Sequence, residues 1–147
     1  MPVIEFKTFF RKTLADGKLF GDVGPYEEIR GSLKFAVNPE HTSNEGITDV
    51  RCAPRNSQSR VEFSSDISII RPVDPSKISG RMVLDVVNRG NRVALPNFNR
   101  ASRLQIDDDT PVDAEVDLGD GFLMEMGYVI VACGWQVDAP PQKALIT

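Results

Sequence analysis

The side chains in this chain that could run a reaction are few and far apart. Its one histidine, His41, lies in NPEHTSN, a turn between early strands. Histidine is the commonest general acid or base, but no nucleophile or carboxylate stands near His41 in a catalytic pattern, so no such role is assigned to it. Cys52 and Cys133 are isolated and lack C-x-x-C spacing, which argues against a zinc site or a disulfide scaffold. Cys133 ends an apolar run and reads as a small buried hydrophobe. The acidic stretch DDDTPVDAEVDLGD, residues 107–120, invites a calcium reading. An EF-hand loop needs glycine at its sixth position and glutamate at its twelfth. Counting from Asp113, those positions hold Leu118 and Met124, so a solvated loop is expected and no metal site.

Two other places are more promising. LDVVNRGNRVALPNFN, residues 84–99, runs a strand into the polar turn Asn88-Arg89-Gly90 and then restarts as apolar sequence. Backbone N–H groups on such a turn are suited to stabilise an oxyanion. The plainer reading is a tight turn whose Arg89 pairs with a nearby acid. CGWQVD, residues 133–138, follows a second apolar run. If that run is a parallel strand, Trp135, Gln136 and Asp138 stand at its C-terminal end, where open α/β sheets place ligands. Trp135 could equally just cover the end of the sheet.

The elements that must position these residues fall into two kinds. In EIRGSLKFAV, residues 28–37, Ile29, Leu33, Phe35 and Val37 alternate with Arg30, Ser32 and Lys34, the period of a half-buried antiparallel strand. RVEFSSDISIIRPV repeats the alternation with Val61, Phe63, Ile67 and Ile69 and stops at Pro72. The turn-rich sequence between them has room for a short strand near residues 47–52. RMVLDVV (81–87) and YVIVAC (128–133) are nearly continuous apolar runs, and only the first carries an internal charge. Such runs suit strands covered on both faces, as in a parallel sheet. Before the second run, Asp120 is placed to cap a short helix with Phe122, Leu123 and Met126 on one face, and Gly127 to end it. Strand, long connection, helix and strand make a βαβ unit.

Composition sets the remaining bounds. The 147 residues amount to one domain's worth of chain, with 41% hydrophobic and 26% charged residues. A net charge of −4 gives no basic footprint for nucleic acid. No apolar run is long enough to cross a bilayer, and Glu5, Lys7, Arg11 and Lys12 interrupt the opening apolar residues where a signal peptide needs a continuous core. A cytoplasmic location is the expectation.

Four segments in order, GPYEEIRGSLKFAVNPEH, VEFSSDISIIRPVDP, LDVVNRGNRVALPNFN and GFLMEMGYVIVACGWQVDAP, resemble the front of a group of bacterial α/β-hydrolase-domain proteins. The resemblance covers residues 24–141 and leaves 1–23 as a leader. It implies an α/β class: the N-terminal portion of an α/β-hydrolase fold, antiparallel first strands followed by a parallel strand–helix–strand unit. It also implies a serine hydrolase acting on carboxylic esters or related acyl bonds, with a small acyl substrate and no cofactor. Asn88, Arg89 and Gly90 would open its oxyanion-hole loop, and Met82 to Val87 would be a strand that has lost a neighbour, inviting self-association through its edge. The family's nucleophile stands in a G-x-S-x-G turn with a histidine later in the chain. Neither occurs here, so the resemblance implies a partial domain that is inactive alone. The competing expectation is a non-catalytic ligand-binding or interaction domain on the same scaffold.

Overall fold

The computed structural model describes residues 3–103 and 115–136. Five strands form one sheet: β1 (Val3–Thr13), β2 (Tyr26–Val37), β3 (Val61–Pro72), β4 (Met82–Val86) and β5 (Val129–Cys133). Their spatial order is β1-β2-β3-β5-β4. The β1–β2, β2–β3 and β3–β5 pairings are antiparallel, and β4–β5 alone is parallel. Among the described residues the α-helices are single turns, α1 (Ala94–Phe98) and α2 (Phe122–Glu125).

This corrects the expected fold class. The protein is mostly β, with a mixed and mainly antiparallel sheet, and it is not the N-terminal portion of an α/β-hydrolase fold. A parallel α/β sheet needs a layer of helices on each face, and helices of five and four residues cannot supply one. The leader is also reassigned. Residues 3–13 are an edge strand paired along β2, in which charged and apolar residues interleave and two register shifts bend the backbone. The short strand expected near residues 47–52 is absent: Asp49 takes a left-handed φ of 58° and Val50–Cys52 form a 3-10 turn. Val50 packs with Val37 and Val61 and anchors that long excursion to the sheet.

Strand register separates the two faces of the sheet. On one face Tyr26, Ile70 and Ile130 join Leu14, Phe20, Leu95, Leu118, Leu123 and Met124 in the main core. The Tyr26 hydroxyl crosses that core to the carbonyls of Met124 and Tyr128, at 3.1 and 3.0 Å, and burial pushes its pKa up to about 12. On the other face Ile29, Ile69, Val131 and Leu84 line up across four strands. There β4 is open: Met82, Leu84 and Val86 are 60%, 55% and 59% exposed. The expectation that this strand is covered on both faces therefore fails. Among the described residues it is the last strand of the sheet, and one of its faces is exposed.

The helix before β5 forms close to where its capping signals place it. Asp120 Oδ1 accepts the Phe122 N–H at 3.1 Å, and Gly127, at φ 71°, ends the turn. Its buried residues are Leu123 and Met124, whereas Phe122 and Met126 are exposed. In a helix of one turn the inward face is set by its neighbours. Asn99, fully buried, donates to the Leu118 carbonyl at 3.0 Å and accepts the Leu123 N–H at 3.1 Å.

Candidate functional site

The turn after β4 is built by backbone geometry. Arg89 and Gly90 have φ of 49° and 83°. Positive φ at both central residues marks a type I′ turn, and glycine accepts it without steric cost. Asn88 and Asn91 close the turn reciprocally, N–H to carbonyl, at 3.1 and 3.0 Å. Arg89, which is not glycine, pays a backbone penalty of roughly 1–2 kcal/mol in that region. Its N–H in return donates to Gln136 Oε1 at 2.7 Å.

Trp135 completes the arrangement. Its indole Nε1–H donates to the Val87 carbonyl at 2.6 Å, while the residue itself remains 63% exposed. Thus the structure joins the segment after β4 to the segment after β5, and brings Asn88, Arg89, Gly90, Trp135 and Gln136 together at the C-terminal ends of the parallel pair. Trp135 both covers the strand end and ties the two segments together. Asp138, the remaining crevice candidate, lies outside the described residues. Three of the turn's N–H groups are engaged: two close the turn and one binds Gln136.

Next to the turn segment lies a charged cluster that sequence periodicity does not reveal. Arg30 was expected on a solvated face, but it is buried and grips Glu28 with two bonds of 2.9 Å. Glu28 also accepts from Ser68 Oγ and from Arg92 Nη1, both at 2.6 Å. Burial alone would raise the Glu28 pKa, but the Arg92 charge, with Arg30 and Ser68, holds it below the ordinary carboxylate value. Burial pushes the Arg92 guanidinium down, against the pull of Glu28. Arg92 belongs to the turn segment, so this ion pair anchors the loop to β2. Asp85 adds a second anchor, since its Oδ2 accepts the N–H groups of Val93 and Ala94 at 2.7 and 2.8 Å. Both anchors left a trace in the sequence. Glu28 and Arg30, two apart in a strand, must share a face, and Asp85 is the internal charge of its apolar run.

The remaining candidates stand apart from the crevice. His41 caps a 3-10 turn, its Nδ1 accepting the Ser43 N–H at 3.1 Å. Cys133 ends β5 with Ser65 Oγ 3.6 Å from its sulfur. Of the acidic stretch, Asp117 accepts from the N–H groups of Ser102 and Gly119, which hold its pKa below the usual carboxylate value. Among the described residues, no group of three or more His, Cys, Asp or Glu is arranged to hold a metal ion, and no helix is long and apolar enough to cross a membrane.

In comparisons with known proteins, no family model, no curated protein and no solved structure matches this chain. The resemblance to hydrolase-domain proteins therefore rests on the quoted residues alone.

Proposed function

We propose that the crevice of Asn88, Arg89, Gly90, Trp135 and Gln136 receives a carbonyl or carboxylate oxygen of a small acyl compound. In this reading it is the oxyanion-binding part of a serine-type acyl hydrolase whose nucleophile and base are supplied from outside these 147 residues. One observation carries the proposal: Arg89 N–H already holds a carbonyl oxygen, Gln136 Oε1, at 2.7 Å. That oxygen is chemically the group an acyl substrate presents. The donor is fixed by a closed turn and anchored from beneath, so it need not reorganise as negative charge develops on a bound oxygen. A substrate oxygen binds by displacing the Gln136 side-chain oxygen from the Arg89 N–H, while the closed turn keeps its place. The chain alone binds without turnover, because it has no G-x-S-x-G and its one histidine is committed to a cap.

Calorimetric titration with butyrate and with a butyrate ester tests the reading. Gln136→Ala removes the internal competitor and should tighten butyrate binding severalfold. Arg89→Gly keeps the N–H and suits a positive φ, so it should retain most of the affinity. Binding unchanged by Gln136→Ala and abolished by Arg89→Gly would transfer the role to the guanidinium and refute the proposed donor.

A specific observation also favours an interaction role for the opposite side of β4. The two sheet edges differ. β1 carries Lys7, Arg11 and Lys12 and two register shifts, devices that discourage edge pairing. β4 pairs with β5 in unbroken register, and its one charged residue, Asp85, points into the interior. The occupant that suits this edge is a second copy of the chain. Antiparallel pairing of β4 with itself about Leu84 sets Met82 opposite Val86 of the partner subunit and Asp85 opposite Val83 of the partner subunit. No like charges meet in that register.

A further inference from the structure

Beside the Glu28 cluster is a cavity of about 10 Å³, lined by Ser68, Asp85, Arg92, Ala94, Ile130 and Ala132 among others. Asp85 is only 4% exposed. Its Oδ2 is satisfied by two backbone donors, but its Oδ1 has no hydrogen-bond partner, the one such buried side-chain atom among the described residues. A buried carboxylate oxygen without a donor is strongly unfavourable. Ser68 cannot relieve it, because its one hydroxyl hydrogen goes to Glu28 Oε1. Arg92 has five N–H donors, and Nη1 serves Glu28.

We infer that this cavity is a binding site for one water molecule, which donates to Asp85 Oδ1 and to the open lone pairs of Ser68 Oγ and accepts from the Arg92 guanidinium. The size fits, since about 10–15 Å³ by this measure is the room one water takes. Three polar partners are also the usual number for an internal water. A metal cation in the same place would meet the positive charge of Arg92, and a larger ligand has no space. The water joins β3, β4 and the turn segment into one polar unit and closes the gap between the two anchors of the loop. It is independent of whatever the crevice binds.

Strand register supplies the test. Asp85 lies beside Ala132 in the parallel pair, so a serine hydroxyl at 132 stands where the water would and can donate to Oδ1. A crystal structure of the wild-type chain at a resolution that resolves internal waters should show one peak within hydrogen-bonding distance of Asp85 Oδ1 and Arg92. Oxygen-17 relaxation dispersion in solution should count one long-lived water more for the wild type than for Ala132→Ser, with Tm lowered by no more than a few degrees. An empty cavity in the wild-type crystal, beside other internal waters that are visible, would overturn the inference. So would an equal count of long-lived waters in a folded Ala132→Ser, and the wild-type measurement decides the matter even if the variant does not fold.

Discussion

Glu28 has no exposed side-chain surface, yet it accepts four hydrogen bonds of 2.6 to 2.9 Å from Arg30, Ser68 and Arg92. Removing one member of a buried ion pair strands the others, at a typical cost of about 3–5 kcal/mol. Glu28→Gln removes the carboxylate that both guanidiniums share, so urea denaturation should show a loss of that order. The pH dependence has a definite sign. Because the folded-state pKa of Glu28 lies below its unfolded value, its contribution is complete above about pH 5 and is lost as the pH falls through the lower folded value. The melting temperature should therefore fall on the acid side, and Glu28→Gln should flatten part of that slope. The cluster was only half legible in the sequence. Period-two spacing puts Glu28 and Arg30 on one face, but that face becomes interior through residues distant in sequence: Arg92 folds back onto Glu28, and the Phe10 ring stands over Arg30.

At the scale of elements, both helices are too short to be stable alone and take their form from single side chains. Asn99 holds the start of α2, and the chain passes it closely: a Cβ on Gly119, whose φ is 60°, would lie 2.0 Å from the Asn99 carbonyl oxygen. Gly119→Ala should accordingly destabilise the protein by more than a Gly-to-Ala change at an open left-handed position such as Gly80, where nothing lies within 4 Å. Paired thermal melts of the two variants check this. The capping signals of α2 were readable, with Asp120 before it and Gly127 after it. Its inward face was not, since a single turn gives periodicity too few residues to register. β1 is not legible in the sequence for a related reason. Its charges interrupt the apolar residues because it is an edge strand, and that same mixture reads as a leader.

Across the whole molecule, the pattern of β4 and β5 was legible as two apolar runs, and the two strands do pair in parallel. What the runs could not reveal is that β4 would keep one face exposed. Most of the sheet is antiparallel, and one face near β4 is bare, with Met82, Leu84 and Val86 all more than half exposed. Apolar patches of that kind mark interaction surfaces. Sedimentation equilibrium should show concentration-dependent dimerisation. Leu84→Lys, which sets two like charges together at the proposed two-fold axis, should shift it to monomer and reduce binding of a hydrophobic dye. A wild-type monomer at every concentration, with no dye binding, would remove the interaction reading.

The central claim is that the turn after β4 holds an acyl oxygen on the Arg89 backbone N–H. The most direct measurement is an NMR titration of the 15N-labelled chain with butyrate, followed at the Arg89 amide and the Gln136 side-chain amide. Saturable, concerted shifts of both signals are predicted, with the Gln136 signal moving toward its solvent-exposed position as its oxygen is displaced. Shifts confined to other residues, or no saturable shift at Arg89, would contradict the account.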